Sequence, residues 1–172
     1  MTFYRRVVRL VFALIFVCGG VSHLFLGRVQ PEGYAVFADT ALIPWLRSLW
    51  LSFVMPNIGV LTVLLAVFQI ACGIGLLWSR TAVASTWAMV GFLVFITVVG
   101  YGFPTETLGE DILKNRLITT VMAAVLVFSL RGGAATDLLP VFRLGGGEVA
   151  APEPNKADRE EADGKEADPK QP

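Results

Sequence analysis

His23 is the single histidine of the chain, in the run Gly19-Gly20-Val21-Ser22-His23 close to the end of a long apolar stretch. A histidine at membrane depth is costly unless it faces the inside of a bundle or a wet cavity, so its position makes it a site candidate. Two readings stand for it: a neutral imidazole hydrogen-bonded to a neighbouring helix or loop, or a group that handles a ligand, a quinone or a proton. Gln69 is the second candidate, the one strongly polar side chain in the middle of PNIGVLTVLLAVFQIACGIGLLWSR. An amide in hydrocarbon gains about 0.6–2 kcal/mol from an interhelical hydrogen bond. Gln69 is therefore either packing glue or part of a site.

Further along, Lys114, Asn115 and Arg116 open the last apolar run at a depth that Tyr101, Glu106, Asn57 and His23 share. The outer mouth of a bundle would thus gather His23, Asn57, Tyr101, Glu106 and Arg116. A site belongs there, unless these residues are interface anchors. Cys18 and Cys72 both fall inside apolar runs, form no CxxC pair and have no second ligand at helical spacing. They read as small buried hydrophobes, and no metal site is expected. Neither a nucleophile–base pair nor a phosphate loop is present.

The elements that must position these residues are membrane spans. The chain of 172 residues is 55% hydrophobic and 16% charged, which places it in the membrane class. About 20 apolar residues cross the roughly 30 Å hydrocarbon core. Spans are expected at about 7–27, 57–79, 81–103 and 112–130. The stretch 28–55 holds Pro31, Glu32, Asp39, Pro44 and Arg47 among Tyr34, Phe37, Trp45, Trp50 and Phe53. It reads as an external loop with short amphipathic pieces, one of them a helix from Pro44 whose apolar face is Trp45, Leu46, Leu49, Trp50 and Phe53. Ala84, Ala88 and Gly91 form a small-residue seam suited to close helix packing.

The expected fold is all-α: a four-helix integral membrane bundle over 1–144, with an external amphipathic cap, followed at 145–172 by a disordered acidic tail. From Glu148 onward eight Asp/Glu face four Lys/Arg, without apolar periodicity. Basic residues near the span ends favour both termini in the cytoplasm, with Arg5, Arg6, Arg9, Arg80, Arg131 and Arg143 inside. Those residues form no stripe that could track phosphates, which excludes nucleic-acid binding. No span carries a charge at its middle, which weighs against an ion-coupled transporter.

The chain resembles the DoxX-like integral membrane proteins. The resemblance rests on VCGGVSHLFLG at the end of the first run, an irregular external stretch, FQIACGIGLLWSR in the second, two more helices and GGAATDLL after the last, and covers Val7 to Leu139. The family often has Glu where this chain has Gln69, a departure that weakens a proton role there. Membership implies a four-helix bundle in the plasma membrane. Some relatives are small subunits of a thiosulfate:quinone oxidoreductase, and others associate with oxidative-stress systems. The resemblance thus implies an accessory subunit of a quinone-linked membrane redox system, with the lipid bilayer and a redox or envelope protein as partners. The alternative is a non-enzymatic membrane scaffold or assembly protein. No cofactor is evident from the residues themselves; a quinone is the one the resemblance points to.

Overall fold

A computed structural model describes residues 2–131 of the chain, and all regular structure among them is helical. Four helices are long and apolar enough to cross a membrane: Phe3–Val29, Pro44–Gly75, Ser79–Val99 and Leu108–Leu130. The protein is an all-α multi-pass membrane bundle. The expected tail at 145–172 and the motif GGAATDLL lie outside the described residues.

Helix α1 (Thr2–Val29) is 28 residues long, about 42 Å at 1.5 Å per residue. Pro31 then starts a 3-10 turn, Pro31–Ala38, and Pro44 starts α2 (Pro44–Leu49). Both prolines sit where a helix has no need of the missing N–H. Contrary to the expected external loop, α2 does not lie apart on the surface. It runs through a π turn, Trp50–Val54, and a 3-10 turn, Met55–Asn57, into α3 (Ile58–Gly75), so the second span begins at Pro44 and not near 57. Pro56 accounts for the irregular turns, since its ring displaces the carbonyl four residues back and supplies no donor. Of the predicted apolar face, Leu46 and Trp50 are buried, whereas Trp45, Leu49 and Phe53 stay exposed.

Helix α4 (Ser79–Val99) stops four residues short of the expected 103. Gly100 and Gly102 take φ of 84° and 79°, a region that L side chains avoid, and the chain leaves the helix there. The last span begins at 108 instead of 112, because Thr107 Oγ1 accepts the Glu110 N–H at 3.2 Å and caps α5 (Leu108–Asp111). A π turn, Ile112–Arg116, joins α5 to α6 (Leu117–Leu130).

The bundle is built as two pairs: α1 packs most closely on α3, and α4 on α6. Within lipid, close packing and hydrogen bonds hold helices together in place of the hydrophobic effect. The first pair supplies that packing with glycine. A Cβ on Gly20 would stand 2.8 Å from the Ala66 carbonyl oxygen, and one on Gly73 2.8 Å from that of Ala13. Of the expected seam on α4 only Ala88 packs against the core: Ala84 and Gly91 are exposed, and a Cβ on Gly91 would touch nothing. The N-terminal half is filled by Val8, Phe12, Phe16, Leu76, Met89 and Leu126. At that end the buried Arg9 reaches across to α3, its Nε donating to the Leu76 carbonyl at 2.8 Å with Nη2 on the same oxygen. A carbonyl at a helix C-terminus lacks an internal donor, and a guanidinium answers both that lack and the negative end of the dipole.

Candidate functional site

The two pairs enclose a cavity of about 220 Å³ in the half away from the N-terminus. Helix α1 presents Phe16, Gly19 and His23 to it at helical spacing, and α3 presents Leu65 and Gln69 one turn apart. Phe92 and Ile96 come from α4, and Thr119 and Met122 from α6. Tyr34, Phe37 and Tyr101 complete the wall from the connecting segments, and Trp50 from the π turn of the second span.

The roof is a chain of aromatic rings. His23 Nδ1 and the Tyr34 hydroxyl are 2.6 Å apart, a hydrogen bond whose direction follows the imidazole tautomer. Tyr34 stacks on Phe37 at a centroid distance of 6.1 Å, and Phe37 leans on Trp50 at 5.7 Å. Trp50 Nε1 donates back to the Tyr34 carbonyl at 2.8 Å. His23 is thus bonded to the loop that follows its own helix, the first of its two sequence readings, and it also lines the cavity. Burial pushes the Tyr34 and Tyr101 phenols above their usual range, so both stay protonated at neutral pH.

Gln69 lies deeper. It is 5% exposed, lines the cavity and makes no hydrogen bond to another described residue. Its amide oxygen abuts Gly19, where a Cβ would sit 2.8 Å away. No buried side-chain nitrogen or oxygen among the described residues lacks a partner, so the amide is not sealed off and keeps access to the open space of the cavity. Gln69 thus packs across from α3 onto α1 and also borders the cavity.

Arg116 is placed elsewhere. It is 9% exposed, and its guanidinium is fully engaged in fastening the roof. Nε donates to Asp111 Oδ2 at 2.7 Å, Nη1 to the Thr97 carbonyl at 2.5 Å and Nη2 to the Thr40 carbonyl at 2.7 Å. Next to it, Asn115 accepts the N–H groups of Tyr101 and Phe103 and donates to the Phe103 carbonyl and Asp111. These two residues pin the loop before α2 and the segment after α4 onto the fourth span. Asn57 is exposed and donates to the Phe53 carbonyl at 2.7 Å, serving an acceptor in the turns ahead of Pro56. Glu106 is exposed, and its own N–H donates to Glu110. Of the five residues expected at the mouth, His23 and Tyr101 line the cavity together with Gln69; Asn57, Glu106 and Arg116 do not.

Tyr34, Phe37, Trp50 and Thr119 are additions from the structure. A signal for Tyr34 existed, since it is the first phenol after a histidine that needs a partner. Cys18 faces outward and Cys72 is buried in the core. No grouping of three His, Cys, Asp or Glu side chains suited to a metal occurs among the described residues. Chemically, the wall offers apolar surface, one amide, the Tyr101 phenol, the Thr119 hydroxyl and a phenol–imidazole pair whose hydrogen bond reverses with the imidazole tautomer. Comparison of the chain with family models, with curated proteins and with solved structures gives no match in any of the three.

Proposed function

We propose that this membrane protein is an accessory subunit of a quinone-linked redox system, and that its cavity holds the small membrane-soluble ligand of that system. The observation that carries this reading is the cavity between the helix pairs, with the unpaired Gln69 amide in its wall and the Tyr34–His23 pair in its roof. Ligand pockets are mostly apolar with a few placed polar groups, and this one has that character. The resemblance to DoxX-like proteins supplies the redox setting. In this reading the N-terminus is cytoplasmic, the roofed end faces outward and the membrane is the plasma membrane.

The test is purification of the tagged protein from its native membrane in mild detergent, with mass spectrometry of co-purifying proteins and solvent extraction of bound quinones. A stoichiometric quinone together with a redox enzyme is the expected result. Recovery of neither, across more than one detergent, overturns the reading.

A scaffold or assembly role is the second reading. It is favoured by the exposure of Ala84 and Gly91 on α4, which leaves a small-residue face free for a partner helix. Large residues at both positions that abolish co-purification of a partner, without changing any bound ligand, would select it.

A further inference from the structure

The cavity wall carries no Asp, Glu, Lys or Arg side chain. Its polar groups are also unusual in being able to exchange roles. Gln69 brings both amide donors and a carbonyl acceptor. The Tyr34 hydroxyl and His23 Nδ1 lie 2.6 Å apart, and the tautomer of the neutral imidazole sets which of the two donates. Thr119 is already committed, donating to the Arg116 carbonyl at 3.0 Å and paired with Thr97 Oγ1 at 2.7 Å.

Gln69 and the Tyr34–His23 pair follow one another along one helix, with the Tyr101 phenol a further polar group of the wall. Gln69 touches α1 at Gly19, and His23 stands four residues further, about 6 Å along the axis. Aromatic faces flank them: Phe16 and Phe92 below, 5.9 Å apart edge to face, and Phe37 with Trp50 above. The volume of about 220 Å³ is below the roughly 300–1,000 Å³ of clefts that take drug-sized molecules. It suits one substituted ring. Ile15 both lines the cavity and is exposed on the outer face of α1, which marks a side from which such a ring reaches it through the bilayer.

We propose that the cavity binds an uncharged planar ring bearing oxygen substituents, and that Gln69 and the Tyr34–His23 pair accept those oxygens as carbonyls or as hydroxyls with similar affinity. This deepens, and rests on, the reading of the cavity as a ligand site. For a carbonyl ligand, Gln69 donates through its NH₂ and Tyr34 through its hydroxyl, while His23 Nδ1–H donates to the Tyr34 oxygen. For a hydroxyl ligand the roles reverse: the Gln69 carbonyl and the Tyr34 oxygen accept, the imidazole carries its one proton on Nε2 instead of Nδ1, and the Tyr34 hydroxyl donates to the bare Nδ1. Neither state creates a charge in the wall. A ring carboxylate, by contrast, finds no cation on the wall to offset its desolvation.

The test is equilibrium binding to the purified full chain in detergent, independent of any partner protein. The probes are a short-tailed para-benzoquinone, its hydroquinone, para-xylene and benzoate. Quinone and hydroquinone are expected to bind with Kd values within about threefold of each other. Para-xylene is expected at least about tenfold weaker, and benzoate without saturation. Gln69→Leu should weaken both oxygenated rings about tenfold, and Tyr34→Phe should do so from the other side. The second variant carries the test if the first does not accumulate. A preference of about tenfold or more for one oxidation state, equivalent to a shift of about 30 mV in the bound couple, overturns the proposal while leaving the ligand-holding reading intact. Unchanged affinity in both variants overturns the assignment of these residues. Absence of saturable binding by any ring overturns the proposal outright, and co-purification then decides the accessory role separately.

Discussion

At the N-terminal half of the bundle Leu76, Met89 and Leu126 have no exposed surface, and apolar side chains from all four spans fill the space between them. At the roofed half the residues with no exposure include Asn115 and Thr119, and the space between the spans is open. The first region is held chiefly by contact, with Arg9 on the Leu76 carbonyl as a directed bond. The second has a smaller apolar cluster of Ala38, Leu46, Trp50 and Val99, and adds directed bonds from Arg116, Asn115 and Trp50 to backbone carbonyls. Hydrogen bonds fix a wall at its attachment points and do not require its interior to be filled. Packing does require it, because a void forfeits the dispersion contacts that packing consists of. A membrane protein that must keep a hollow therefore gains from bonding its hollow end and packing its solid one.

Breaking the bonds should produce the largest effect. Arg116→Met leaves the Asp111 carboxylate without its ion pair and the Thr97 and Thr40 carbonyls without a donor. Removing one partner of a buried pair costs about 3–5 kcal/mol. Thermal unfolding in detergent should show that loss, and Arg116→Lys should not restore it, because an ammonium cannot span three acceptors in a fixed fork. Adding Asp111→Leu to Arg116→Met should recover part of the stability. Full stability in the single variant would show that the roof does not hang on this residue.

Breaking the packing is next. Gly20→Ala and Gly73→Ala each drive a methyl into a backbone carbonyl at 2.8 Å, which must move the helix and not merely a side chain. Overpacking of this kind costs about 1–3 kcal/mol. Gly91→Ala meets open space and should stabilise α4 by up to about 1 kcal/mol through helix propensity. The two outcomes, read in the same melt, separate the real seam from the expected one. A loss at Gly91 matching that at Gly20 would mean α4 is covered by something outside this chain.

The sequence carried the spans well because apolar length is a local property, and the four-span all-α fold follows from it. The boundaries at 44, 99 and 108 were missed for three local reasons: Pro56 distorts a helix without ending it, Gly100 ends one early, and Thr107 starts one early. The seam was misplaced because small residues at helical spacing occur on both α1–α3 and α4, and spacing alone does not say which face meets a neighbour. His23 and Gln69 were legible by their cost at membrane depth, and Tyr101 by the depth it shares with His23. Arg116 shares that depth too and is a fastening, since a shared depth does not say whether a polar group serves a ligand or the backbone. Tyr34 and Trp50 were grouped with the interface aromatics because nothing in their order shows that they bond to each other over the cavity.

Tyr34→Phe acts only on the boundary of the hollow. It removes the hydroxyl from His23 Nδ1 and keeps the ring stacked on Phe37. One neutral hydrogen bond contributes about 0.5–1.5 kcal/mol, so stability should fall by no more than that. The Trp50–Tyr34 bond uses the backbone carbonyl and should survive. A collapse comparable with Arg116→Met would place the roof's main support in the phenol, against the geometry described above.

Gly19→Ala is the mildest change and the sharpest. Its methyl meets only the far end of Gln69, at 2.8 Å from the amide oxygen, with the amide carbon at 3.8 Å. A flexible side chain can turn aside where a carbonyl cannot, and alanine adds about 1 kcal/mol of helix propensity over glycine. The melting temperature should therefore stay within a few degrees of the parent, unlike that of Gly20→Ala one residue away. What must change is the position of the amide, which is pushed away from α1 and into the space a ring would occupy. If the cavity exists to hold a ligand, Gly19→Ala should lose it while the fold is kept. If Gln69 is only a packing residue, the variant should be indistinguishable from the parent in every binding measurement, and the hollow half would then need another reason to be hollow.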